Sequence, residues 1–268
     1  MSEAVPLLTA SGLGFTTAGR SLVEGVSLDV APGSLQVIIG PNGAGKSTLL
    51  RLLCGELAPT AGTLAYGGTP VTQIPPWRLA ALRAVLPQTT RLAFPFSVSD
   101  VARIGLDGIG RGLTRRDREA ILADALGRAD ILPLAGRAYQ SLSGGEQARV
   151  QFARVLCQLA AGRTIAAGQV LFLDEPTASL DLRHQSAILE AVDGLRGRGV
   201  GVVAILHDLN LAAAYADTLL VLAGGRLVAR GAPSAILRDD LIADIFQVNW
   251  PVGRVPEGGR PFILPRRL

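Results

Sequence analysis

Lysine is all but missing from this chain of 268 residues: of its 26 basic side chains only Lys46 is a lysine. Cysteine and histidine are scarce too, with two of each. No CxxC pair occurs, which excludes a zinc site of the usual spacing. Cys54 and Cys157 lie far apart in apolar helical patterns and are expected to pack as small hydrophobes. No apolar run approaches the roughly 18 residues that a membrane-spanning helix needs. The longest, GVGVVAIL and QVLFL, have the length of buried strands. The opening MSEAVPLL has no basic region followed by an apolar segment and a cleavage site, so no signal peptide is expected and cytoplasm is the default. There is no internal repeat and no low-complexity linker. What is present is a 49% hydrophobic composition, enough for one large domain or a domain with a subdomain. The net charge of +4 permits contact with anions, nucleic acid or anionic lipid, but the arginines are dispersed. The cluster RRDR at 115–118 reads as a solvated helix start, because Ile121, Leu122, Ala125 and Leu126 continue an amphipathic pattern.

The two ends of the chain read as α/β and the middle as helix. LLTASGLGF and the alternating LVEGVSLDV predict antiparallel strands, and LQVIIG a strand buried on both faces. KSTLLRLLCGEL predicts a helix with Leu49, Leu52 and Leu53 on one face. From about 76 to 165 the reading is mostly helical, through IPPWRLAALRAVL, SVSDVARIGL, TRRDREAILADALGRAD and SGGEQARVQFARVLCQLA. Then QVLFLD reads as strand, RHQSAILEAVDGLRGRG as helix, VGVVAIL as strand and LNLAAAYAD as helix. TLLVLAGGRLVARG predicts a hairpin turning at Gly224 and Gly225, and NWPVGRVPEGGRPFILPRRL an extended appendage.

Between a predicted strand and a predicted helix stands GPNGAGKST: Gly40, Pro41, Asn42, Gly43, Ala44, Gly45, Lys46, Ser47 and Thr48. It fits the phosphate-loop pattern G-x-x-x-x-G-K-[ST] in the context that pattern requires. Gly40, Gly43 and Gly45 permit positive φ angles and let several N–H groups point inward. The helix start adds unpaired donors and the positive end of its dipole. A lysine ammonium is a compact charge that follows phosphate oxygens, where the planar arginine fork is too bulky. That is why the one lysine sits here. Ser47 offers a hydroxyl to Mg²⁺. Asp174, at the end of a buried strand where open α/β sheets bind ligands, is placed to hold the same ion through water. Glu175 beside it faces where water attacking a bound triphosphate would lie and is the candidate general base.

SLSGGEQARV at 141–150 resembles the signature sequence of the ATP-binding-cassette (ABC) ATPases. Physically, Ser143 and Glu146 form a capping box at a helix start flanked by Gly144 and Gly145, a second anion site. The resemblance implies that this site completes the ATP site of a second copy, so that a homodimer sandwiches two ATPs. It implies further that Gln88 is the Q-loop residue contacting Mg²⁺ and water. Ser179, Leu180 and Asp181 match the loop crossing the dimer interface, and His207 the switch histidine at the γ-phosphate. His184 matches no motif and is expected at the surface. Thr17 falls near the position of the family's adenine-stacking aromatic, a departure from its pattern; Phe15, two residues earlier, is the candidate for that role, with core packing as the equal alternative. The implied fold is α/β: a P-loop NTPase ABC ATPase fold with a RecA-like core, an N-terminal antiparallel β subdomain and an inserted α-helical subdomain. Residues 1–87 and 166–248 are expected to form the β subdomain and core, 88–165 the helical subdomain, and 249–268 a C-terminal extension.

Three tasks compete for such a cassette: driving a transporter, working on nucleic acid, or binding ATP without hydrolysis. No long coiled-coil insertion or zinc cysteines are present, and only one cassette fits the length, which argues against nucleic acid. Glu175 and His207 are both in place, which argues against a silent cassette. The chain resembles bacterial importers of metal chelates, and more closely haemin import ATP-binding proteins. LLRLLCGELAPTAGTL, the AAGRTIAAG loop before QVLFLDEPTASLDLRHQ, HDLNLAAAYAD and the terminal PFILP carry that likeness. The implied setting is the cytoplasmic face of the bacterial inner membrane, with two transmembrane permease subunits and a periplasmic substrate-binding protein. Haem is the implied cargo, with an iron-siderophore or cobalamin as alternatives.

Overall fold

The computed structural model describes residues 5–88, 94–178, 180–255, 258, 261 and 263–265. Along the chain, strands β1 (Leu8–Thr17) and β2 (Arg20–Val30) precede β3 (Leu35–Ile39) and helix α1 (Lys46–Leu53). Next come β4 (Ala61–Tyr66), β5 (Thr69–Pro70), α2 (Pro76–Leu82) and β6 (Arg83–Leu86). A helical stretch follows: α3 (Val98–Arg103), α4 (Arg115–Arg128) and α5 (Gly144–Gly162). The chain then alternates through β7 (Val170–Asp174), α6 (Leu182–Arg196), β8 (Gly201–Ile205) and α7 (Leu209–Tyr215). It closes with the hairpin β9 (Thr218–Ala223) and β10 (Arg226–Gly231), then α8 (Pro233–Ile236) and α9 (Asp239–Phe246).

Two sheets result. One is antiparallel, in the order β2-β1-β4-β5; the other runs β10-β9-β3-β8-β7-β6, parallel except for β10 at one edge. Every residue of β3, β7 and β8 is buried, as a parallel strand covered on both faces requires. The pleat divides their side chains between two cores. Val37, Leu171, Leu173, Val202 and Ala204 join the apolar cluster beneath the helices. Ile38, Val170, Phe172, Val203 and Ile205 face the cluster shared with α1 and the antiparallel sheet. The large sheet is thus the middle of three layers. Cys54 and Cys157 are free and buried, and burial pushes their thiols up to about 11 and about 12.

Three helices start on capping boxes, Ser97 with Asp100, Thr114 with Asp117 and Ser143 with Glu146, so their first turns are satisfied locally. One local expectation is corrected. RAVL, predicted to continue a helix, forms β6 and pairs in parallel with β7 from Arg83↔Val170 to Leu86↔Leu173. Short apolar runs fit helix and strand equally, and the neighbouring strand decides. GTLAY, unassigned from sequence, is the body of β4, the second neighbour of β1. Asp239, the first residue of α9, accepts bonds from the Val252 N–H at 2.8 Å and from Arg254 Nη2 at 2.9 Å, which hold residues 252–254 against that helix start. Ser179, residues 89–93 and Phe262 of PFILP lie outside the described residues.

Candidate active site

The carboxyl ends of β3, β7 and β8 lie side by side, with Asp174 in register with Ile205 and Ile38 with Ile205 on the other flank. From this edge the chain leaves β3 through residues 40–45 into α1. Gly40, Gly43 and Gly45 have φ of 149°, 77° and 96°. At two of them glycine is compulsory for a second reason. A Cβ on Gly40 would lie 2.0 Å from the Leu222 carbonyl oxygen of β9, and one on Gly45 2.3 Å from the Leu22 oxygen of β2. The loop is therefore pressed between the two sheets. It is pinned by the Gly225 N–H, which donates to Ala44 O at 3.0 Å from the hairpin turn.

Lys46 is 6% exposed, with its Nζ donating to the carbonyls of Gly40 at 2.8 Å and Pro41 at 2.9 Å. Burial lowers its pKa, partly offset by the charges of Glu175 and Asp174. The ammonium has folded onto its own loop, and a ligand offering better oxygens can take those two bonds over. Ser47 Oγ donates to Asp174 Oδ1 at 3.4 Å. Asp174 is buried, and that burial raises its pKa, with the neighbouring Glu175 charge adding to the effect.

Glu175 departs from the strand with φ of 52°, a left-handed conformation that an L-residue adopts at a cost of about 1–2 kcal/mol. Its N–H reaches Ile205 O at 3.2 Å. The turn delivers both carboxylate oxygens to partners: Oε2 accepts from Gln88 Nε2 at 2.8 Å, and Oε1 lies 2.5 Å from His207 Nε2. Gln88 follows β6, Glu175 follows β7 and His207 follows β8, so three adjacent strands converge on one carboxylate. Beside it a cavity of about 260 Å³ is lined by Gly40, Pro41, Asn42, His207 and Phe246 among others.

A second cavity, about 450 Å³, lies at the start of α5. It is lined by Ser143, Gly144, Gly145 and Glu146 together with Arg149, Leu180, Asp181 and His184. Ser143 N–H donates to Glu146 Oε2 at 2.7 Å, and Glu146 N–H to Ser143 Oγ at 3.3 Å. These bonds hold the Glu146 carboxyl below its ordinary pKa. Gly144 and Gly145 form the first helical turn. Asp181 caps α6, accepting from His184 N–H at 2.9 Å. The two cavities share no lining residue.

The sequence profile of the ABC transporter family matches residues 23–178. Two curated relatives align over 97% of this chain and 98% of their own length. They are the hemin import ATP-binding proteins HmuV of Mesorhizobium japonicum, 46% identical, and of Rhizobium meliloti, 44% identical. This chain belongs to the ABC transporter family. Among solved structures, a bacterial Atm1-family ABC exporter with ATP bound superposes with a TM-score of 0.75 and 29% identity, over 92% of this chain and 43% of that one. The α/β P-loop ABC ATPase fold expected from the sequence is the fold observed.

Within this ABC ATPase, Gln88, Asp174, Glu175, His207 and the residues of the phosphate loop gather at one sheet edge, while Ser143 to Glu146 and Asp181 gather at the other cavity. Phe15 joins neither lining: in β1 it pairs with Val23 of β2 and packs half-buried on the apolar cluster beneath the antiparallel sheet. His184 is corrected from a surface residue to a half-buried one. Its Nδ1 lies 2.7 Å from Asp181 Oδ1 and its Nε2 3.7 Å from Asp130 Oδ2, a carboxylate that Arg149 and Arg183 also approach. Sequence reading also missed Arg149 and Phe246 as cavity walls. The i, i+3 spacing of Glu146 and Arg149 on one helix face was the available signal for the first; no local signal marks the second.

Proposed function

We propose that this ABC ATPase hydrolyses ATP to power haem import. It acts as a homodimer docked on two transmembrane permease subunits at the cytoplasmic face of the inner membrane, with a periplasmic substrate-binding protein delivering the cargo. The near full-length likeness to hemin import ATP-binding proteins supports the cargo. The observation that carries the chemistry is the single carboxylate of Glu175, held by Gln88 and His207 at the mouth of the phosphate loop.

In this reading the triphosphate takes Lys46 away from the Gly40 and Pro41 carbonyls, and the loop's inward N–H groups hold its oxygens. Ser47 and Asp174 fit Mg²⁺: two hard oxygen donors 3.4 Å apart, one of them a carboxylate whose buried charge a cation relieves. When bound there, Mg²⁺ neutralises charge on the phosphate oxygens. Glu175 accepts the proton of a water as that water's oxygen bonds to the γ-phosphorus and the bond to ADP breaks. Gln88 keeps the carboxylate aimed, and His207 contacts the γ-phosphate. The phosphate loop and the signature start line separate cavities, which supports the reading in which the Ser143–Glu146 turn serves the ATP of a second copy.

The test is genetic and biochemical. Deleting the gene in its host is expected to abolish growth on haemin as the iron source. The intact chain restores growth and Lys46→Ala does not. Undiminished growth on haemin, with failure on ferric siderophore or on cobalamin, would overturn the cargo in favour of that chelate.

A further inference from the structure

Among the described residues β6 is the edge strand of the large sheet, bonded to β7 on one side only. An edge strand leaves alternate carbonyls without ladder partners. On β6 the carbonyls of Arg83 and Val85 are two residues apart and so point to the same side. Both are taken by α5. Arg154 Nη2 donates to Val85 O at 3.0 Å, and Gln158 Nε2 donates to Arg83 O and Ala80 O, each at 3.0 Å. Arg154 and Gln158 are four apart, one helical turn, so their side chains leave the same face. Side chains of this helix thus bond the backbone of β6 where a further strand is lacking among the described residues. The guanidinium is itself fixed: its Nε donates to Gln151 Oε1 at 2.8 Å, and the buried Gln151 donates to Tyr139 Oη at 3.2 Å.

This stitch joins two parts of the proposed machinery. α5 begins at the signature turn, Ser143 to Glu146, and β6 ends two residues before Gln88, which bonds Glu175 at 2.8 Å. We propose that Arg154 and Gln158 are positioning residues for Gln88, tying its strand to the signature helix so that a shift of α5 is carried to the carboxylate of Glu175. The inference rests on Glu175 and Gln88 having the roles given above.

A double-mutant cycle tests it, because residues acting through one another give non-additive effects. Gln158→Met is expected to lower kcat about threefold to tenfold, the range of one hydrogen bond, with affinity for a fluorescent ATP analogue unchanged. In a Gln88→Ala background it should add less than about twofold. Hydrogen exchange of residues 83–88 should quicken while that of 170–174 stays the same. A full additional loss in the Gln88→Ala background, an unchanged kcat, or unchanged exchange at 83–88 would each overturn the proposal, since a purely structural role adds to the Gln88 effect. Arg154→Lys repeats the cycle at the second contact; if that variant fails to fold, the Gln158 cycle decides. If the wild type hydrolyses no ATP, the proposed function fails, and exchange at 83–88 alone decides whether the stitch holds β6.

Discussion

Replacing Glu175 by glutamine keeps the length and shape of the side chain and removes its capacity to accept a proton. The left-handed backbone at φ 52° is no worse for glutamine than for glutamate, so the turn itself should persist. The amide retains one oxygen, enough to accept from either Gln88 or His207 but not to receive both as the carboxylate does. A positioned general base contributes about 10²- to 10⁴-fold, equivalent to roughly 3–5 kcal/mol of barrier. Phosphate release under saturating Mg²⁺ and ATP should fall by that factor, while binding of a fluorescent ATP analogue, which depends on Lys46 and the loop, holds. With turnover blocked, gel filtration in ATP should show the closed dimer. The apo protein should melt within a few degrees of wild type, because relief of the charge beside Asp174 offsets the lost hydrogen bond and the lost counter-charge at Lys46. Glu175→Gly supplies the control: it relieves the left-handed strain, so turnover is lost without a fall in Tm. Turnover of Glu175→Gln within about threefold of wild type would refute the assignment of the base.

Three further outcomes follow from the same geometry. Gly40→Ala sets a Cβ 2.0 Å from the backbone oxygen of Leu222 and should destabilise the fold by about 3 kcal/mol or more, read as a fall in Tm; an unchanged Tm contradicts the packing of the loop between the sheets. Asp174 has a raised pKa in the fold, so folding favours its protonated form. Its ionisation opposes folding increasingly as pH rises through the raised value. Asp174→Asn should therefore raise the Tm of the metal-free protein at neutral pH, with the gain vanishing in acid, and a lower Tm at neutral pH would contradict this. Ser143→Ala loses one side-chain cap and should change Tm by only a few degrees, yet it should cut hydrolysis while analogue binding to the monomer holds. Unaltered turnover in that variant argues against a site shared between two copies.

The phosphate loop, the Ser143 capping box, the buried strands β3, β7 and β8, and the hairpin at Gly224 and Gly225 were legible in the sequence. Each is specified within about ten residues: glycines where φ is positive, a cap three residues from its partner, an unbroken apolar run. Glu175 and His207 were legible as types at strand ends, but their 2.5 Å approach depends on β7 and β8 being neighbours. Long-range pairing decided the rest. RAVL became a strand because β7 offered a ladder, and α5 supplied the donors its outer edge lacked. His184 and Arg149 became walls of one cavity because α5 and α6 bring them to the same carboxylate, Asp130. Phe246 reaches the phosphate loop from a helix some two hundred residues downstream. Local backbone preference and capping act between near neighbours, so they are written in the order of residues. The surroundings of a side chain are set by which elements the core packs together, and that is decided only when the three layers close.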